Sequence, residues 1–187
     1  MGKRFLHSIV QPNTDIVTSV NITPFDLPVN PLSFLLLRFQ LTNLDPAVMD
    51  VYDSLDELMG QITGVRVLHK GEQIISGSLR DLHVLNAVYQ HAFPGWSHIS
   101  PINDALRSAV FPICLGRRMY DPVSCFPATT RGNLRMEIDV GAEPASYDDI
   151  NVSVEAVELI EADPTEYVKY VRQARDSVIG QFDAPLP

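Results

Sequence analysis

The chain has 187 residues, 45% hydrophobic and 20% charged, which suits one globular domain with a sizeable core. Fourteen Lys and Arg against 23 Asp and Glu leave a net charge of −9, the wrong sign for a protein that neutralises phosphates along a nucleic acid. Two cysteines make no disulfide framework, and no run approaches the roughly 18 apolar residues of a membrane span.

At the N-terminus, the charged start Lys3-Arg4 has no sustained apolar core behind it, so no signal peptide is expected. Leu6 stands where a myristoylation signal needs Ser or Thr. The protein is therefore expected to be soluble when made. Residues 4–10 and 15–22 both pattern as strands, with Pro12-Asn13 as a turn between them. In the second, Ile16, Thr18, Val20 and Ile22 share a face that Val17 interrupts. Pro24, Pro28 and Pro31 cannot sit inside a central strand, so they mark an edge or a bend before Leu32.

The longest apolar run follows. Leu35, Leu37, Phe39 and Leu41 alternate with Leu36, Arg38 and Gln40, a period of two with one face to bury. Asp45-Pro46 then opens a helix as N-cap and first helical residue. Val48, Val51, Tyr52, Leu55, Leu58, Met59 and Ile62 form its stripe, and Gly60 can end it. Residues 62–68 and 73–76 flank Lys70-Gly71-Glu72 as a hairpin. Ser78 with Asp81 three residues on resembles a capping box, and Leu79, Leu82, Leu85, Val88 and Tyr89 stripe the helix that Pro94-Gly95 stops.

Residues 98–104 read as loop. Residues 106–115 read as a strand in which Pro112 implies an edge or a bulge. From Arg117 to Arg131 a long loop is expected. Leu134, Met136, Ile138 and Val140 then make the cleanest one-sided strand, followed by a turn over 141–149. Ile150, Val152, Val154 and Ala156 repeat the alternation, and its change of phase at Val157 and Leu159 implies a bulge. Asp163-Pro-Thr-Glu166 predicts a last helix over residues 163–180, with Tyr167, Val171, Ala174 and Val178 as its stripe and an extended tail after Gly180. No internal repeat or linker divides the chain, so residues 1–187 are read as one domain.

Chemistry is sparse. None of His7, His69, His83, His91 and His98 forms the helical pair with an intervening Glu that zinc proteases use. His83 and His91 lie eight apart with no acid beside them at a ligand position. A cupin would need a His-x-His with a downstream Glu, and His91 and His98 do not supply it. There is no Gly-x-Ser-x-Gly and no phosphate-binding Gly-Lys-Ser/Thr loop. Cys125 has no basic sequence neighbour to activate it, and Cys114 and Cys125 read as two reduced, partly buried thiols. Asp50, Asp53, Asp56 and Glu57 scatter over the polar side of a helix, and Tyr147-Asp148-Asp149 reads as a turn. Trp96 beside Pro94-Gly95 is a lone aromatic that a sugar would stack on. No catalytic, metal or cofactor residue is assigned, and a contact-making protein is the expectation. The alternatives are a carbohydrate-binding β-sandwich using Trp96 and, behind it, a cupin-like metalloenzyme.

Taken in order, several short signatures between residues 15 and 160 carry a resemblance. They are Ile22, Leu27-Pro28, then Leu32-Ser33-Phe34-Leu35-Leu36-Leu37-Arg38 with Thr42; the Gly-turn hairpin Val65 to Ile75; and Ser78 to Leu82 with Leu85-Asn86. Leu115-Gly116-Arg117, Asp121-Pro122 and the Arg-Gly-Asn-Leu entry from Arg131 into the strand ending at Val140 complete the series. In this order they resemble the jelly-roll major capsid proteins of tailless icosahedral viruses, the lineage with tectiviruses, corticoviruses and adenoviruses. The resemblance implies a mainly-β fold: a jelly roll of two packed antiparallel sheets with two or three short helices, the C-terminal one included. It implies a virion structural protein, of a bacteriophage for instance, with no catalysis and no cofactor. Copies would assemble into trimeric or pseudo-hexameric capsomers of an icosahedral shell. Most members carry two rolls, and 187 residues hold one. Either a second capsid protein is then a partner, or the chain is half of a longer one. No direct nucleic-acid contact is expected, and Lys3-Arg4 would face any internal membrane beneath the shell.

Overall fold

The computed structural model describes residues 4–16, 21–43, 51–90, 95–96, 105–142 and 147–172. In chain order they form β1 (Arg4–Asp15), β2 (Ile22–Asp26), β3 (Leu32–Asn43), α1 (Val51–Gln61), β4 (Ile62–His69), β5 (Glu72–Gly77), α2 (Leu79–Gln90), β6 (Gly95–Trp96), β7 (Leu106–Cys114), β8 (Leu134–Val140), β9 (Tyr147–Ile160) and β10 (Tyr170–Val171). Two five-stranded sheets result, with orders β1-β9-β3-β7-β6 and β10-β5-β4-β8-β2.

Without the two-residue strands β6 and β10, the pairing is nested. β4 pairs with β5, β3 with β7, β2 with β8 and β1 with β9, all antiparallel. The chain is one long hairpin rolled up so that β9 also meets β3 and β8 also meets β4. Eight strands wrapped this way make a jelly roll. The mainly-β expectation holds.

The core lies where the alternation put it. Leu35, Leu37 and Phe39 are fully buried and Leu41 nearly so. They stand in register between Ile113, Phe111, Ala109 and Arg107 of β7 on one side and the inward residues of β9 on the other. Phe39 meets Phe111 edge-on at 5.6 Å. From the facing sheet come Val65 and Val67 of β4 with Leu134, Met136, Ile138 and Val140 of β8. Each buried Leu or Phe contributes roughly 1.5–3 kcal/mol, so this interior supplies the main favourable term.

The prolines sit where a missing N–H does least harm. Pro24 lies in the edge strand β2, at a register shift between Ile22 and Phe25. Pro112 lies in β7 beyond the reach of β6, which pairs only with Ala109 and Val110. The hairpin turn is formed by Lys70 at φ 52° and Gly71 at φ 84°, the paired left-handed residues that match the twist of two strands.

Several sequence expectations change. Pro12-Asn13 does not end a strand: β1 runs through it with register shifts between Ile9 and Thr14. The Thr14 hydroxyl donates to the Pro12 carbonyl at 2.9 Å. Part of the second expected strand, residues 17–20, lies outside the described residues, as does the expected helix start at Asp45-Pro46. The turn over 141–149 is shorter than expected, because β9 already begins at Tyr147.

The change of phase at Val157 is not a bulge in β9. Residues Glu155 to Ile160 pair regularly with β1, and the extra residue is Ser33 on β3, between Leu32 and Phe34. Ala156 and Val157 are both fully buried because both faces of the sheet are covered there. The extra residue also lets Leu32 and Leu35 point into the same core. A second shift, between Gln40 and Thr42, falls opposite Asp149 at φ 49°.

The terminal helix expected over 163–180 does not form in its described part. Residues 163–172 run extended, and β10 lies parallel to β5, with Tyr170 opposite Ile75 and Val171 opposite Ser76. Thr165 and Glu166 N–H both donate to the Val123 carbonyl, Val168 N–H to Leu115, and Arg172 N–H to Ser76. An open sheet edge satisfies the backbone there, and Val168 and Tyr170 pack on the core with a period of two. Residues 173–180 lie outside the described residues.

α2 begins as its cap predicted. The Ser78 N–H and hydroxyl donate to the Asp81 carboxylate at 3.0 and 2.5 Å, and the Asp81 N–H donates back to the Ser78 hydroxyl at 3.2 Å. Burial pushes the Asp81 carboxyl up, but the Ser78 hydroxyl, Arg172 and the Ser78 amide together hold it below its ordinary value. A folded value below the unfolded one means stability present above about pH 4 and lost as pH falls through the folded value. Asp81→Ala should therefore cost about 1 kcal/mol at pH 7 by urea denaturation. The gap from the wild type should narrow below about pH 4.

Candidate interaction surfaces

The two outer faces of the sandwich differ in chemistry. On the β4–β5–β8 sheet, the outward residues of β8 alternate with the core set, and Arg66 of β4 reaches across to two of them. Its guanidinium donates to Glu137 at 2.8 Å and to both Asp139 oxygens at 2.6 and 2.8 Å. Arg135 pairs with Asp26 at 3.4 Å, Arg172 with Asp81 at 2.5 Å, and Lys169 with Glu72. Such exposed pairs add little to stability, because water and salt screen them, and they keep the face hydrated.

The outer face of the β1–β9–β3–β7 sheet divides in two. One half is polar: Arg38 pairs with Glu155 at 2.5 Å, and the Asn13 amide donates to Gln40 at 3.3 Å. The other half is apolar. Phe34, Cys114 and Val157 form a small second core with Leu36 and Met119 packed on it. The loop 115–126 covers part of this patch. Leu115 N–H donates to Ser33 O at 3.0 Å, and Leu32 and Phe126 exchange two backbone bonds of 2.9 Å. Tyr120, at φ 59°, donates its N–H to the Ser33 hydroxyl at 2.9 Å. Its ring lies 5.0 Å from Phe34 and 5.2 Å from Phe5, with His7 stacked at 6.4 Å. Phe5 and His7 belong to this face through their register with Leu159 and Val157.

A groove of about 560 Å³ opens between α2, the end of β7 and the strap leading to β10. Leu85, Cys114, Val168 and Tyr170 line it together with Arg117 and Lys169. The Asn86 amide beside it donates to the Pro112 carbonyl.

The residues scanned for chemistry are scattered. His69 rests on Phe126 at 5.3 Å and lies 3.3 Å from the Thr129 hydroxyl. His83 faces Phe111 at 6.3 Å, and burial lowers its basicity. His91 and His98 lie outside the described residues. Trp96 is described only as backbone, paired with Ala109. Asp56 is engaged by Arg80 of α2 at 2.7 Å. Asp50 lies outside the described residues, as do the side chains of Asp53 and Asp148. Tyr147 is fully buried. Among the described residues no three His, Cys, Asp or Glu come together as a metal site. Cys114 and Cys125 are both free and buried. Burial pushes Cys114 up to about 12 and Cys125 up to about 11, the latter with help from Asp121, so both stay neutral thiols. The residues sequence reasoning passed over are Phe5, Ile9 and Tyr120, because none belongs to a one-sided pattern.

No protein-family model and no curated protein sequence matches the chain. Solved structures do. The model of Sulfolobus turreted icosahedral virus aligns over 82% of this chain at TM-score 0.59 and 13% identity. The fold is that of viral jelly-roll major capsid proteins. The crystallised major capsid protein of the same virus aligns over 84% at TM-score 0.54 and 16% identity. The quasi-atomic capsid model of PBCV-1 aligns over 85% at TM-score 0.54 and 11% identity. This chain spans less than half of each matched chain: 45%, 48% and 43% in turn. At these identities the likeness is one of architecture.

Proposed function

We propose that this chain is a structural subunit of an icosahedral viral capsid, acting through contacts and not through catalysis. The nested eight-strand roll carries the reading. Its alignment with capsid proteins extends over more than four fifths of the chain. Copies would assemble into trimeric or pseudo-hexameric capsomers. A second capsid protein would complete the lattice, because the matched chains are about twice as long as the region aligned here. The subunit would be made soluble in the host cytoplasm and end in the virion shell, with no direct nucleic-acid contact and with Arg4 toward any membrane beneath. The net charge of −9 fits a protein that leaves the genome alone.

Light scattering and negative-stain electron microscopy of the purified full chain test this. Ring-shaped or trimeric particles are the expected result, alone or after addition of a co-expressed second capsid protein. A strict monomer over a wide range of salt and concentration, with and without that protein, would count decisively against it.

A further inference from the structure

Among the described residues four strands border the two sheets, and three of them are short there, as blunted edges usually are. β6 and β10 are two residues each. β2 has five residues and carries Pro24 and Asp26. β1 is different. It is twelve residues long and, among the described residues, pairs only with β9. Over Arg4–Ile9 that pairing is regular, opposite Ile160 to Glu155. This regular segment has no proline and no acid, and Phe5, Leu6 and Ile9 within it are 57%, 48% and 70% exposed.

Their placement says what kind of contact they suit. Phe5 and Ile9 lie on the outer face, opposite Leu159 and Glu155, while Leu6 points to the other side. A partner resting on one face would cover only one of these sets. A strand added at the edge covers both, because its side chains alternate in step with those of β1.

We propose that this strand is a second copy of β1, running antiparallel to the first across a two-fold axis. The inference rests on reading the chain as a self-associating subunit and names the surface. A two-fold contact must be self-complementary, and this segment is. Centred on His7, the pairing sets Phe5 against Ile9 twice on the outer face and Leu6 against Ser8. It also joins two five-stranded sheets into one. Charge selects the same place. The chain carries 23 acids and a net charge of −9, so most of its surface repels a copy of itself, yet residues 1–14 contain no Asp or Glu. The contact closes on itself in a pair and leaves the remaining surfaces of each copy for the contacts within a capsomer.

The test uses the full chain with two substitutions at exposed positions, Ile9→Lys and Leu6→Lys, with thermal melting to show that each folds. Analytical ultracentrifugation of the wild type should show association, and each variant should need about tenfold more protein or greater to reach it, since every substitution counts twice across the axis. His7→Cys gives an independent readout. The native thiols are buried, so mild oxidation should yield a disulfide-linked dimer only if the two positions 7 face each other. Unchanged association in both Lys variants, with no cross-link from His7→Cys, overturns the proposed surface and leaves the subunit reading standing. A wild-type chain monomeric on its own at every concentration overturns the proposed surface, and one that also stays monomeric with the second capsid protein present overturns both.

Discussion

Leu37→Asp should yield no folded protein. Leu37 is fully buried, with Phe111 of β7 on one side and Val154 of β9 on the other. A carboxylate there has no water to solvate it. Even after taking up a proton it leaves polar atoms unbonded in an apolar layer, at about 1–3 kcal/mol, beyond the roughly 2–5 kcal/mol of lost packing. Against a total stability of about 5–15 kcal/mol, that is enough to unfold a chain of this size. The neighbouring residue is the control. Arg38 points outward to Glu155 from a side chain 50% exposed, so Arg38→Ala should stay within about 0.5–1 kcal/mol of the wild type. Soluble yield and near-ultraviolet circular dichroism of the two variants decide the matter. A soluble Leu37→Asp protein with an unchanged melting temperature would overturn the assignment of this face to the core.

What makes Leu37 predictable is also what was legible in the sequence. A strand with one wet face writes its orientation into every second residue, and β3, β8 and the first part of β9 do so. The hairpin turn at Lys70-Gly71 and the Ser78–Asp81 cap were legible for a related reason: both are satisfied by atoms within a few residues. Residues 163–172 were not. Asp163-Pro164 and the early acids make a sound helix start, but the edge of β5 and the carbonyls of Val123 and Leu115 offer backbone partners. No local pattern records those partners. The same limit produced the misplaced bulge. Val157 and Leu159 broke the alternation because the loop over 115–126 covers the second face, and a covered face needs no polar residues.

The candidate interaction surface was harder to read than the fold. Phe5, Leu6 and Ile9 lie in a segment whose apolar residues fall on both faces, so no period marks them as exposed. Only the strand order, with β1 at an edge, explains why about half or more of each stays exposed among the described residues. Tyr120 looked like an ordinary loop residue between Arg118 and Asp121. Its ring becomes part of the patch through the Ser33 hydroxyl that holds its backbone, and that hydroxyl is available because Ser33 is the extra residue of β3. Long-range register thus creates the surface, and a single chain read in order does not contain it.

The loop that carries Tyr120 depends in turn on one glycine, and Gly116→Ala should cost about 3 kcal/mol or more. A Cβ at Gly116 would sit 1.8 Å from the Ser124 carbonyl oxygen and 2.7 Å from its carbon. These are backbone atoms, so no rotamer change relieves the clash. Nor can the two segments part freely. The Arg117 N–H is held by the Ser124 hydroxyl at 2.7 Å, Phe126 is tied to Leu32, and Leu115 is tied to Ser33 on one side and Val168 on the other. Separating them by an ångström or more breaks several of these bonds together. Gly71→Ala offers a calibration, because Gly71 has open space around it and only its left-handed φ of 84° opposes a side chain, at about 1–2 kcal/mol. Chemical denaturation should place Gly116→Ala well below Gly71→Ala in midpoint. Thiol labelling adds a second readout. Displacing the loop uncovers Cys114 and Cys125, so both should react faster in Gly116→Ala and stay slow in Gly71→Ala. Equal midpoints with equal labelling rates would mean that the loop does not close on β3 through this contact.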